Sequence, residues 1–286
     1  MKTNKFIIIF AILLMSLVAG CQQTEPFFFI QMSDPQFGHH TDNKGFSRET
    51  ELFEKAIAQA NQLQPEFVII TGDLVHQAGN DAQARELLRI ADKLNSKIAL
   101  YWVAGNHDVK YEPTDKTLSW YRHHFGKDWY SFDVGRRHFV VVNCCIIEHP
   151  ENVAGQFSQQ EKWLRDDLAK ACAQKKPILL FMHYPLLPDD SNTSRSHFRL
   201  DPQRRADYFK LFGDNGVQAI FAGHLHYNLY DKADNTEIIV TGTVAGRALA
   251  LGKDSHGFRI VKVYADRMEH KYYRLDNMPV NIQLTP

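Results

Sequence analysis

The chain has 286 residues, 44% hydrophobic and 23% charged, enough for one well-buried α/β domain or two small ones. Lys plus Arg and Asp plus Glu balance at 33 each, so composition supplies no global field and implies no nucleic-acid partner. Fourteen histidines are a generous supply, and their placement carries more than their number.

The first twenty residues stand apart from the fold. Lys2 and Lys5 make a positive start, and Phe6 to Val18 is an apolar run. At about 13 residues it falls short of the ~20 that a membrane-spanning helix needs, so residues 1–20 read as a signal peptide. Leu17-Val18-Ala19-Gly20-Cys21 resembles the lipobox of bacterial lipoproteins. That resemblance implies cleavage before Cys21, lipidation of Cys21 and anchoring of the exported chain to a membrane of the bacterial cell envelope. Two or more acyl chains hold firmly where one does not. An ordinary secretory signal with a chance cysteine is the plain alternative. Residues 21–26 then form a lipidated tether, and residues 27–286 one folded domain.

Apolar, β-rich runs alternate with helical patterns after the tether. Phe27 to Ser33, Phe67 to Thr71, Ile98 to Ala104, Phe139 to Asn143, Ile178 to His183 and Val217 to Ala222 read as buried strands. Between the first two, Leu52, Phe53, Ala56, Ile57, Ala60 and Leu63 recur at helical spacing. A capping box of Ser158 and Glu161 predicts a second helix opening at Ser158. From Tyr227 onward the pattern turns to strands alone, including Glu237 to Thr241, Phe258 to Tyr264 and Met268 to Leu275. No repeat or composition shift marks a second domain. Cys144, Cys145 and Cys172 are an odd number, the first two adjacent in an apolar stretch. They are expected as buried free thiols, with a disulfide from Cys172 to either of the pair left open.

The strands end alike. The first runs into Ser33-Asp34-Pro35-Gln36, the second into Gly72-Asp73, and the third into Gly105-Asn106-His107-Asp108. Later ones run into Met182-His183-Tyr184 and Gly223-His224-Leu225-His226. Ligands of an open α/β sheet bind beyond the carboxyl ends of its strands, so these tips converge on one spot. Glycines 72, 105 and 223 let the backbone turn sharply there. Carboxylates, amides and imidazoles without thiolate suit Mn, Fe, Zn or Ni. Asp34, Asp73, Asn106, His183, His224 and His226, with Gln36, are too many donors for one ion. They fit two divalent ions that share a carboxylate, about 3.5–4 Å apart.

Taken in order, these blocks resemble the signature of calcineurin-like metallophosphoesterases. Asp-Pro-Gln-Phe-Gly at 34–38, Gly-Asp-Leu-Val-His at 72–76 and His-Gly-Phe-Arg at 256–259 are similar to one branch, calcineurin-like phosphoesterase domain-containing protein 1. Its members are described as Ser/Thr protein phosphatases. The resemblance implies an α/β fold of two mixed β-sheets packed as a sandwich and flanked by helices. It implies one ion on Asp34, Gln36, Asp73 and His226, and another on Asp73, Asn106, His183 and His224. His107 matches the catalytic histidine and Asp108 its orienting partner. Gln36 stands where the family usually has histidine, a weaker ligand. His76 replaces a common acidic residue and is read as backing a metal ligand or facing the substrate. Tyr184, Arg247, Arg195 and His197 fall in loops that can border the site. His39, His40, His123, His124, His138, His149 and His270 have no motif and are expected to be solvated or satisfied locally.

The expected reaction is hydrolysis of a phosphomonoester, with phosphoprotein as a candidate substrate, by attack of a hydroxide held between the ions. A phosphodiesterase of nucleotide or lipid-derived diesters is the nearest rival. An envelope lipoprotein that keeps the fold as a binding module, its metal site weakened at Gln36, is the reading from another class.

Overall fold

The computed structural model describes residues 25–188, 200–248 and 256–285. The signal segment, Cys21, Arg195 and His197 lie outside the described residues. The described residues form eleven strands and seven α-helices, alternating up to the last strands. They are β1 (Phe27–Met32), α1 (Ser47–Leu63), β2 (Phe67–Thr71), α2 (Asp81–Ala91), β3 (Ala99–Val103), α3 (Asn106–Val109) and α4 (Asp115–Phe125). Next come β4 (Tyr130–Val134), β5 (Arg137–Val141), α5 (Cys144–Glu148), α6 (Ala154–Ala173), β6 (Ile178–Phe181) and α7 (Pro202–Asp214). Strands alone follow: β7 (Val217–Ala222), β8 (Leu229–Ala233), β9 (Thr236–Val240), β10 (Gly257–Val263) and β11 (Met268–Arg274).

These strands make two mixed sheets, ordered β11-β10-β1-β2-β3 and β4-β5-β6-β7-β9-β8. Within each, β1-β2-β3 and β5-β6-β7-β9 run parallel, and the outer partners run antiparallel. Side chains alternate between two apolar layers, as a period of two demands. Phe29, Phe67, Phe139, Phe181 and Phe221 fill the space between the sheets. Phe29 stacks on Phe67 at 4.7 Å and meets Phe139, Phe181 and Phe221 edge-on at 5.9, 5.8 and 5.6 Å. Their alternate neighbours Phe28, Ile30, Val68 and Ile70 join Leu52, Phe53, Ala56 and Ile57 of α1 in the other layer. That aromatic slab is stiff, because offset and edge-to-face rings fix one another's geometry. It therefore holds the strand ends at constant separation.

Three local expectations change. The helix expected from Ser158 begins four residues earlier, at Ala154, after a turn of 3-10 helix over Pro150–Val153. Ser158 lies inside it, its hydroxyl donating to the Ala154 carbonyl at 2.9 Å, because an already helical chain offers the hydroxyl that carbonyl before any cap. The apolar run after β5 also stops being strand at Asn143. Asn143 Oδ1 accepts the Cys145 amide at 3.1 Å and starts α5, so the Cys144–Cys145 pair sits on a helix with both thiols buried. Cys172 is exposed rather than buried, and all three thiols are free.

Candidate metal centre

Five residues at the strand ends take a backbone conformation that side chains disfavour. Asp34, Gln36, Asp73, His224 and His226 have φ of 51°, 42°, 50°, 69° and 55°. Such left-handed residues cost on the order of 1 kcal/mol or more each and persist only where surroundings over-determine them. Cross-strand bonds do that here. The Asp34 amide donates to Gly72 O at 3.1 Å, Gln36 to Asp73 O at 2.8 Å, and His224 to Asp34 Oδ2 at 3.1 Å. Turning is required of only one of the three glycines, Gly72, with φ of 86°. All three serve close approach. A Cβ at Gly72 would collide with the His183 ring, at Gly105 with the Asp73 carboxylate, and at Gly223 with Ser33 Oγ and Asp34.

The tips meet as the sequence implies. Asp73, His183 and His224 place one ligand atom each within 4.8 Å of the others, and so do Asp34, Asp73 and His226. Asp73 belongs to both groups, and all five side chains are buried. Asn106 Oδ1 lies 3.1 Å from His183 Nε2. Gln36 Nε2 donates to His76 Nδ1 at 3.4 Å, while its buried Oε1 has no hydrogen-bond partner. A buried acceptor without a donor is costly unless something positive meets it.

Backbone carbonyls aim the histidines. His183 Nδ1 donates to Thr71 O at 2.8 Å, leaving Nε2 3.2 Å from Asp73 Oδ2. His226 Nδ1 donates to Arg247 O at 2.5 Å, leaving Nε2 3.3 Å from Asp34 Oδ1. Fixing one ring nitrogen so that the other faces inward is how metal-binding imidazoles are oriented. The unpartnered Gln36 oxygen, the aimed rings and the absence of thiolate from both groups fit two divalent cations.

The electrostatics agree. Burial opposes ionisation of Asp73, yet the His183 and His107 imidazoles beside it hold its carboxyl far below the usual range. Burial likewise works against a charged His183, but Asp73 outweighs it and pushes that ring up to about 10. His226 is raised against its burial by Asp34. The carboxylates thus favour positive charge on these imidazoles, where cations fit.

Asp108 departs from its expected role. Its carboxylate accepts the amides of Leu74, Val75 and Gly105 at 2.8, 3.0 and 2.8 Å, stapling the loop after β2 to the loop after β3. His107 Nδ1 is held instead by the His76 carbonyl at 2.8 Å. Three buried N–H donors compete more effectively for one carboxylate than a half-exposed ring does. His76 stacks on His107 at 4.9 Å and on His39 at 4.8 Å, forming a row of three imidazoles beside the ligands. His39 was expected to be solvated or satisfied locally. It is held to a pKa of about 3 by burial and by the neighbouring His226 and His76, and its only sequence signal is its place five residues beyond Asp34. Tyr111 was also missed, its ring 6.3 Å from His107. Tyr184 is buried 4.8 Å from the His224 ring, so it backs the ligands rather than lining a rim. The Arg247 guanidinium is tied to His40 O and Asp42 Oδ1 at 3.1 and 3.0 Å, and its contribution to the centre is the carbonyl that aims His226.

Two buried donor groups sharing one aspartate, at the carboxyl ends of the strands of a β-sandwich, fit the centre of a dinuclear metallohydrolase. Residues 29–228 match the family described as calcineurin-like phosphoesterase. The chain is 32% identical over 271 residues to the serine/threonine-protein phosphatase CPPED1 of Rattus norvegicus, covering 89% of this chain and 86% of that one. The human CPPED1 is 31% identical over 270 residues, covering 88% and 85%. A crystal structure of a dimetal phosphatase from Danio rerio superposes with a TM-score of 0.65 at 18% identity, covering 87% and 96%. The chain belongs to the calcineurin-like phosphoesterase family and is a metal-dependent phosphoric ester hydrolase.

Because His183 is protonated at neutral pH in the ion-free protein, a cation must displace that proton. Calorimetric titration with Mn2+ in two buffers of different ionisation enthalpy should show proton release at pH 7. Affinity should fall about tenfold per unit of falling pH for each proton displaced. A pH-independent affinity without proton release would contradict the ligand assignment.

Proposed function

We propose that the protein is a two-metal phosphomonoesterase acting on phosphorylated protein side chains. The observation that carries this reading is Asp73, common to both donor groups. The protein-phosphatase names of its relatives support the substrate class. Bound divalent ions supply positive charge to phosphoryl oxygens and an acidified water at neutral pH. The chain's own side chains do the rest. Asp34, Gln36, Asp73 and His226 would hold one ion, and Asp73, Asn106, His183 and His224 the other. His107, with Nδ1 fixed on the His76 carbonyl, keeps Nε2 to protonate the leaving alkoxide or to hydrogen-bond the phosphoryl group. Asp108 keeps the two loops in register and acts on His107 only through them.

Turnover of p-nitrophenyl phosphate against its bis-ester, with several divalent metals, tests the reaction class. Monoester turnover is expected. Dominant diester turnover would favour a phosphodiesterase, and neither, with metals bound, a binding module. His107→Ala should retain both metals and lose about 100-fold or more in kcat.

We also propose that the chain is exported and anchored by lipid on Cys21, on the strength of Leu17-Val18-Ala19-Gly20-Cys21. Cells fed labelled palmitate should label the wild type and not Cys21→Ser. Equal labelling of both would remove the anchor.

A further inference from the structure

A single file of hydrogen bonds runs between the two sheets, from a buried guanidinium to a carboxylate of the metal centre. Arg259 Nε donates to Thr241 Oγ1 at 2.8 Å, and Thr241 Oγ1 to Gln31 Oε1 at 2.6 Å. Gln31 Nε2 donates to Thr71 Oγ1 at 3.1 Å, Thr71 Oγ1 to Ser33 Oγ at 2.9 Å, and Ser33 Oγ to Asp34 Oδ2 at 2.5 Å. All six residues are buried. Every donor points the same way.

The guanidinium sets that direction. It has five N–H donors and no acceptor, so Thr241 can only accept from it. The single hydrogen of Thr241 is then given to Gln31 Oε1. This fixes the amide with Nε2 toward Thr71, where the Ala222 carbonyl also accepts it at 3.0 Å. Beyond this point each hydroxyl has a choice. Thr71 can turn to Met32 O at 3.2 Å, and Ser33 to Thr71 O at 3.2 Å. The forward bonds are shorter in both cases. Polarisation along a file of aligned donors strengthens each bond and favours the forward arrangement at both branch points.

Among the described residues nothing neutralises the positive end by direct contact. Among the described residues no carboxylate lies within 4.0 Å of the Arg259 guanidinium. Its remaining donors go to Asn228 Oδ1 at 2.9 Å, Val240 O at 3.2 Å and His270 Nδ1 at 2.9 Å. The other end meets the centre asymmetrically. Asp34 Oδ2 takes the Ser33 hydroxyl at 2.5 Å and the His224 amide at 3.1 Å, while Oδ1, 3.3 Å from that amide, faces His226 Nε2 at 3.3 Å.

We propose that Arg259 is a positioning residue for the metal ligand Asp34, acting through Thr241, Gln31, Thr71 and Ser33. The file anchors Oδ2 through a short hydrogen bond and so fixes the orientation in which Asp34 would meet its ion. This rests on the reading that Asp34 holds one of two ions. It gives Arg259, from the His-Gly-Phe-Arg segment at the distant end of the sequence, a function beyond tying β10 to its neighbours. If the guanidinium were purely a cross-sheet strut, interrupting the file midway would not distinguish one ion from the other.

Thr241 is the place to interrupt it, since Thr241→Val removes the hydroxyl at nearly constant shape and leaves Arg259 in place. Thr241→Ser restores the hydroxyl. Metal-stripped wild type and both variants would be titrated with Mn2+, following the two binding steps by calorimetry. Wild type should take up two ions. Thr241→Val should loosen one of them about tenfold, as outer-shell changes do, and leave the other unchanged, and Thr241→Ser should behave as wild type. The unchanged step is the internal control for folding. Thr241→Val binding both ions as wild type, or loosening both equally, would overturn the role of the file. Uptake of a single ion by wild type would instead overturn the two-ion reading on which it rests.

Discussion

The carboxylate of Asp73 is the constraint around which the rest is arranged. It is 1% exposed, at the end of β2, where an isolated charge would be far too costly to bury. The fold answers by surrounding it with positive or donating groups: His183 Nε2 at 3.2 Å and the His107 amide at 2.8 Å. A centre of that kind is stable only with balanced charge, by protons on the imidazoles or by cations. That requirement links the fold to the chemistry, because His183, which satisfies Asp73 in the ion-free protein, stands with it in one of the two groups that could hold an ion.

Holding such a cluster needs stiffness below and strain above. The phenylalanine slab between the sheets fixes where the strands stop. Beyond it, five left-handed residues and three glycines bring side chains closer than ordinary turns allow. Asp108 staples two of the loops through three backbone amides, and the polar file from Arg259 reaches Asp34 through the narrow gap between the sheets. Stability is given up locally for geometry, as is common where function depends on a preset arrangement.

Much of this was legible in the sequence because it depends on local pattern. Strand ends bearing Asp34, Asp73, Asn106, His183, His224 and His226 are visible as motifs, and an α/β sheet directs them to one edge. What could not be read were contacts set by tertiary competition. Asp108 looks like a partner for the adjacent His107, yet the Leu74 and Val75 amides of a distant loop and the Gly105 amide of its own loop claim it. His39 and Tyr111 reach the centre through loop paths that no periodicity encodes. Ser158 carries a proper cap signature, but a helix already begun upstream overrode it. Arg259 stood in a recognisable segment, and its link to Asp34 exists only once both sheets are packed.

The most direct test of the shared carboxylate is the metal content of a folded Asp73→Asn variant, measured after equilibration with excess Mn2+ and removal of free metal. Wild type should retain two ions per chain and the variant neither, because both donor sets lose their common charge. A variant that still holds two ions, or keeps one at wild-type affinity, would contradict the account.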